Sequence, residues 1–292
     1  MFHGSMVALI TPMTENGDVD NAALEALVAF HLENGTDAII AMGTTGESAT
    51  FTHKDHRNVV KQIIKLVAGK IPVIAGTGSN STKEALDLTQ AAKDDGADGV
   101  LLASPYYNKP TQEGLYQHHK LIADSVTIPH LLYNVPGRTA IDMHPETVAR
   151  LSTVSNIVGI KEASGSLDRA KELLELCGDT LDIISGDDGI AMEMMLAGGK
   201  GNISVTANVA PAQMHEMCKA AMIGDRVKAE KINTALLELH SKLFVESNPI
   251  PVKWALHKMG YGSNAMRLPL TPLAEKYHAV VASALSKAGI NV

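Results

Sequence analysis

The sequence is short of cysteine, of positive charge and of long apolar runs, and each shortage removes a class of protein. Its two cysteines, Cys177 and Cys218, lie far apart and form no CxxC pair, so neither a disulfide framework nor a thiolate metal site is expected. No stretch reaches the ~18 uninterrupted apolar residues of a spanning helix. The opening MFHGSMVALITP has no basic segment ahead of a long apolar one. A membrane is therefore not an expected partner, and a reducing cytoplasm is the expected location. Lys and Arg number 25 against 32 Asp and Glu, a net charge of −7. A phosphate backbone attracts clustered positive charge, so nucleic acid is not an expected partner either. The twelve histidines come without HExxH or an accompanying carboxylate set, and no metal or other cofactor is expected.

What is present is a repeating alternation. With 292 residues, 45% of them hydrophobic, the chain can bury one large core with a small appendage. Short apolar, partly β-branched runs recur at 6–10, 38–42, 73–75, 99–103, 130–133, 157–160, 181–184 and 201–205. Each is too short for a helix and fits a strand covered on both faces. Amphipathic helical stretches follow at 21–34, 52–68, 81–95, 111–125, 145–152, 167–177, 189–196 and 211–223. Gly35 is placed to stop the first of them, and Ser81 with Glu84 forms a capping-box pattern at the start of the third.

Eight strands each followed by a helix predict a (β/α)8 TIM barrel over residues 1–224. A doubly wound open sheet competes, but no GxGxxG follows the first strand. After residue 224 only helical patterns remain, at 225–244, 249–259 and 271–288, so 225–292 is expected to form a C-terminal helical appendage.

Barrel chemistry sits at the carboxyl ends of the strands. The residues there are 43-GTTGE-47, 104-SPYYN-108, 133-YNVPGRT-139, Lys161-Glu162 and 186-GDD-188. Lys161 follows Ile157-Val158-Gly159-Ile160, an apolar wall. Desolvation disfavours a charged ammonium and so favours a nucleophilic amine. Alone, it is equally a lysine that grips a carboxylate. Tyr133 on the adjacent strand tilts the balance toward a Schiff base, because a phenol can carry protons to and from an imine. Tyr133 also reads as an ordinary barrel tyrosine, and Thr44 and Thr45 as turn residues or as an extension of a proton relay. Arg138 offers a fork for a carboxylate, although a surface arginine paired with Asp or Glu is the commoner role.

Several long motifs in one order carry a resemblance: GTTGES at 43–48, SPYYNKP at 104–110, YNVPGRT at 133–139, GIKEASG at 159–165 and NPIPVKWA at 248–255. From Gly4 to the C-terminal helices the chain resembles the dihydrodipicolinate synthase family of pyruvate-dependent Schiff-base aldolases. The resemblance implies an imine between Lys161 and pyruvate, whose carboxylate rests near Thr44 and Thr45. The derived enamine then attacks L-aspartate 4-semialdehyde, whose carboxylate Arg138 binds. Tyr133, Thr44 and Tyr107 are implied as the relay, with Tyr107 reaching in from a neighbouring subunit of a homotetramer. Ile203, otherwise a core residue, matches the family position that packs against pyruvate.

The resemblance also implies a feedback site for L-lysine formed by Ser48, Ala49, His53, His56, Asn80, Glu84 and Tyr106. His53 and His56, three apart at a helix start, are expected to face one way. Two rivals remain at this point. One is a sugar-acid lyase of the same superfamily, from which Thr44-Thr45 and Arg138 distinguish this chain. The other is a non-catalytic ligand-sensing barrel in which Lys161 only holds an anion.

Overall fold

Successive strands pair in parallel and close on themselves, β1 joining β8 through Gly4 opposite Gly201. The computed structural model describes residues 1–291. The strands are β1 (Gly4–Ala8), β2 (Ala38–Ala41), β3 (Val73–Gly76), β4 (Gly99–Ala103), β5 (His130–Asn134), β6 (Ile157–Glu162), β7 (Asp182–Ser185) and β8 (Gly201–Ser204). Between them run α1 (Asn21–Glu33), α2 (His53–Val67), α3 (Thr82–Asp94), α4 (Gln112–Ser125), α5 (Pro136–Thr139), α6 (Pro145–Leu151), α7 (Leu167–Cys177) and α8 (Ala191–Leu196). The chain continues through α9 (Pro211–Met222), α10 (Arg226–Lys242), α11 (Ile250–Lys258) and α12 (His278–Lys287). This is the expected (β/α)8 barrel followed by helices.

The two-residue period of each strand separates two cores. Met6, Ala8, Ile40, Ile74, Leu101, Leu131, Ile184 and Ile203 point inward and fill the barrel. Val7, Ile39, Ala75, Val100 and Leu102 point outward against the helices. Leu236, Leu239, Trp254 and Val281, all beyond residue 224, pack into that same outer cluster. The ladder between β5 and β6 is irregular. His130 pairs with Ile157, but Leu131 pairs with Gly159, so Val158 is passed over and Tyr133 comes to stand opposite Lys161.

Element ends differ from the sequence reading where side chains intervene. β1 stops at Ala8 rather than residue 10 because the Ile10 N–H donates to Asn208 Oδ1 (3.1 Å). β6 runs on to Glu162, so Lys161 lies inside a strand paired on both sides. Gly35 does end the first helix region, with a φ of +76° that a side chain would disfavour. The capping box is half formed. Ser81 Oγ accepts from the Glu84 N–H, but the Glu84 carboxylate accepts from Ser79 Oγ (2.8 Å) instead of returning to residue 81. The last helix begins at His278, not residue 271. Thr271 precedes a proline, which disfavours helix, and Ala274 is extended, with its N–H turned toward Glu246.

Buried histidines give the fold an acid limit. His31, His118, His119 and His130 are buried, and burial pushes each below the ordinary imidazole value, His31 to about 3, His118 and His130 to about 4, and His119 well below it. Above the unfolded value of about 6.5 they are neutral in both states. Below it the unfolded chain takes up protons that the native state refuses, so stability is lost as pH falls toward 4. Denaturant midpoints measured from pH 7 to pH 4.5 are expected to fall throughout, and a flat profile over that range would contradict this.

Candidate active site

At the carboxyl ends of the strands lies a cavity of about 550 Å³ lined by Gly43, Thr44, Thr45, Tyr133, Arg138, Lys161, Gly186, Asp187 and Asp188, among others. Lys161 is 6% exposed and its ammonium sits 4.3 Å from the centre of the Tyr133 ring. The β5–β6 register sets that approach. The space for the lysine comes from across the next ladder. A Cβ on Gly186 would lie 2.8 Å from Lys161 Cε, 2.9 Å from its Cγ and 2.7 Å from Ala163 Cβ. A glycine is needed there for the side chain's room, not for its own backbone freedom.

Thr44 and Thr45 come from the turn after β2. Thr45 is buried, and its hydroxyl accepts from Asn248 Nδ2 (3.0 Å). Arg138 stands at the mouth on the single turn of α5, with Nη2 donating to the Asn248 carbonyl (3.2 Å). Pro136 at the start of that turn suits its fixed φ. Asp188 is buried and fully used. It accepts from Asn202 Nδ2 (2.7 Å) and from the N–H groups of Val205 (3.1 Å) and Thr206 (2.9 Å), tying the end of β7 to β8 and to the segment that follows it. Ile203 is 1% exposed and packs in the barrel interior with Ala8, Ile40, Tyr133 and Ile184.

One wall comes from beyond the barrel. Leu237, His240, Ser241 and Phe244, on and just after α10, line the cavity with Asn248. His240 is buried against the Thr206 hydroxyl (2.8 Å). Burial lowers its proton affinity, and Asp188 and Asp187 partly oppose this. Sequence reasoning missed this wall and the role of Gly186. The wall follows from how α10 packs, which no local pattern encodes. Asn248 had a signal, since it opens the NPIPVKWA motif.

Tyr107 lies outside this cavity. It is 89% exposed, in a left-handed conformation (φ 72°), on a loop anchored to the neighbouring one: Asn80 Nδ2 donates to the Tyr106 carbonyl (3.1 Å) and Asn108 Nδ2 to the Asn80 carbonyl (2.9 Å). Those bonds bring Asn80 and Tyr106 together near Ser79 and Glu84. Ser48 and Ala49 form a separate 3-10 turn ahead of α2. The expectation that His53 and His56 face one way is corrected. His53 is exposed, whereas His56 joins the buried stripe Val59, Val60 and Ile63 of α2 and donates through Nε2 to the Gly76 carbonyl (2.9 Å). Burial lowers the proton affinity of His56, the Gly76 carbonyl opposes that, and His53 adds to it.

A closed parallel barrel with a buried lysine lining its carboxyl-end cavity is the architecture of a barrel lyase of the Schiff-base aldolase type. The sequence model of the dihydrodipicolinate synthetase family matches residues 1–288, and the chain belongs to that family. It is 61% identical over 292 residues to the 4-hydroxy-tetrahydrodipicolinate synthase of Thioalkalivibrio sulfidiphilus (strain HL-EbGR7), covering 100% of this chain and 99% of that one. It is 58% identical over 290 residues to the synthase of Pseudomonas aeruginosa, covering 99% of each. Among solved structures, dihydrodipicolinate synthase from Acinetobacter baumannii complexed with pyruvate matches with a TM-score of 0.99 at 53% identity over 100% of both chains. The enzyme from Cyanidioschyzon merolae with lysine bound matches with a TM-score of 0.96 at 38% identity over 99% of both.

The packing at Gly186 gives a direct test. In Gly186→Ala the new methyl displaces the Lys161 chain, and a displacement of about 1 Å is worth about 100-fold in kcat. Overpacking costs about 1–3 kcal/mol, so the variant is expected to fold with a modestly lower Tm. A kcat within twofold of wild type would show that the lysine does not need this space.

Proposed function

We propose that the chain condenses pyruvate with L-aspartate 4-semialdehyde, the reaction for which its relatives are named. The observation that carries this reading is the buried Lys161 amine against Tyr133, with Thr44-Thr45 on one side and the Arg138 guanidinium at the mouth. Lys161 Nζ attacks the ketone carbon of pyruvate, and loss of water leaves an imine. Removal of a methyl proton gives an enamine, whose carbon attacks the aldehyde of the second substrate. The amine of that substrate then adds to the imine carbon, displaces Lys161 and closes the ring.

Each step moves a proton, and the Tyr133 phenol is the group positioned to carry it. Thr44 extends the relay, and Tyr107, projecting from its own protomer, completes it from a neighbouring subunit of a homotetramer. The pyruvate carboxylate rests on the Thr44-Thr45 turn with Ile203 packed beneath, and Arg138 takes the carboxylate of the semialdehyde. The barrel of residues 1–224 supplies the reacting groups, and the 225–292 appendage closes one side of the cavity. The site of action is the cytoplasm.

L-Lysine is proposed as a feedback inhibitor held by Ser48, Ala49, His53, His56, Asn80, Glu84 and Tyr106. In that reading the Glu84 carboxylate takes the lysine ammonium and the polar groups around it take the lysine carboxylate. The buried orientation of His56 gives it a supporting place behind the ligand rather than one beside His53.

Initial rates with pyruvate and a panel of aldehydes separate this reading from a sugar-acid lyase. Turnover is expected with aspartate semialdehyde at least about 100-fold above any sugar aldehyde, in line with the discrimination of a site built for a charged group. Turnover confined to sugar aldehydes would overturn it. Adding millimolar L-lysine is expected to lower the rate of the wild type and to leave a Glu84→Ala variant unaffected. An unchanged wild-type rate would remove the feedback site.

A further inference from the structure

A second lysine of this chain is buried more completely than Lys161. Lys253 on α11 and Glu47 in the β2 turn form an ion pair with both side chains at 0% exposure and Nζ 2.5 Å from Oε1. Every other ion pair among the described residues leaves at least one partner partly exposed. Two charges removed from water gain little net stability from each other, and a well-packed apolar pair of similar volume commonly serves the fold equally well. What such a pair does supply is a fixed geometry, since neither charge tolerates separation there.

The geometry it fixes adjoins the cavity. Glu47 lies two residues beyond Thr45 and holds a left-handed conformation (φ 61°, ψ 31°) that a non-glycine residue adopts only under constraint. Lys253 lies five residues beyond Asn248, whose side-chain amide holds the Thr45 hydroxyl and whose carbonyl holds Arg138. The Thr44-Thr45 turn is therefore stitched to residues 248–253 at two points, one at the cavity wall and one in the dry interior behind it. Burial lowers the proton affinity of Lys253, and Glu47 opposes that shift.

We propose that the Glu47–Lys253 pair is a positioning device that holds the Thr44-Thr45 turn in place to receive the carboxylate of the α-keto acid substrate. It rests on the reading of the site given above. The two residues touch neither substrate and act through the turn.

The test compares full-length wild type with Glu47→Gln and with the doubly neutral Glu47→Gln/Lys253→Met, which leaves no buried charge unpaired. The probe is pyruvate. The readouts are its KM in steady state, the pyruvate concentration that half-saturates borohydride trapping, and Tm. Both variants are expected to raise the pyruvate KM and the half-saturating concentration about tenfold, a fraction of what a 1 Å misplacement does. The aldehyde KM is expected to move less than threefold. A pair that only stabilises the fold lowers Tm and leaves both pyruvate measures within twofold of wild type, and that result overturns the proposal. Should the double variant not fold, Glu47→Gln alone decides by the same criterion. Wild type that forms no adduct with pyruvate sinks the reading of the site and the proposal with it. An adduct in wild type with unchanged pyruvate measures in the variants sinks the proposal alone.

Discussion

Tyr133 and Lys161 meet because the β5–β6 ladder skips one residue. His130 is opposite Ile157 and Leu131 is opposite Gly159. Had the pairing continued without a shift, Tyr133 would stand opposite Ile160. A one-residue change in register also exchanges the inward and outward faces of a strand. Lys161 would then join the helices' apolar layer, where Ile160 now packs, and the barrel interior would lose its amine. Irregularities of this kind next to active sites re-aim a side chain at some local cost in pairing. The cost is small here because the ladder beyond the shift is complete: Lys161 also pairs with Ile184 of β7, and Glu162 with both Asn134 and Ser185.

Around that pair the site is assembled from parts that are distant in sequence. β7 gives Gly186, whose missing side chain makes room for the lysine. Asp188 ties the end of β7 to β8 through one hydrogen bond and to the segment after it through two. The chain beyond the barrel supplies Asn248 to the Thr45 hydroxyl and to Arg138. Polar groups buried this way must find partners, and each that does restricts the backbone carrying it. The dry ion pair behind the Thr44-Thr45 turn extends the same principle into the core.

Much of this was legible in the sequence. Eight short apolar runs, each followed by an amphipathic stretch and with no GxGxxG after the first, were enough to favour the barrel over a doubly wound sheet. The strand-end rule then led to Lys161, Tyr133, Arg138 and the Thr44-Thr45 turn from residue chemistry, and the motif resemblance narrowed the substrates. Other features were not legible. The passing-over of Val158 leaves no mark in composition, because valine is as acceptable in a regular strand. Gly186 stood among the strand-end residues with no role of its own, and only the position of the Lys161 side chain shows why it has no side chain. The three-residue spacing of His53 and His56 suggested a shared face, but the buried stripe of α2 starts at His56 and carries it inward. Leu237 and Phe244 read as ordinary positions of a helical appendage, and the packing of α10 brings them to the cavity.

The central claim is that the amine of Lys161, and no other, bonds covalently to an α-keto acid. Incubating the protein with pyruvate, reducing with borohydride and mapping the modified peptide by mass spectrometry tests it most directly. The account predicts one adduct per chain, on Lys161, abolished in Lys161→Ala. No adduct, or an adduct on another lysine while Lys161 stays free, would contradict it.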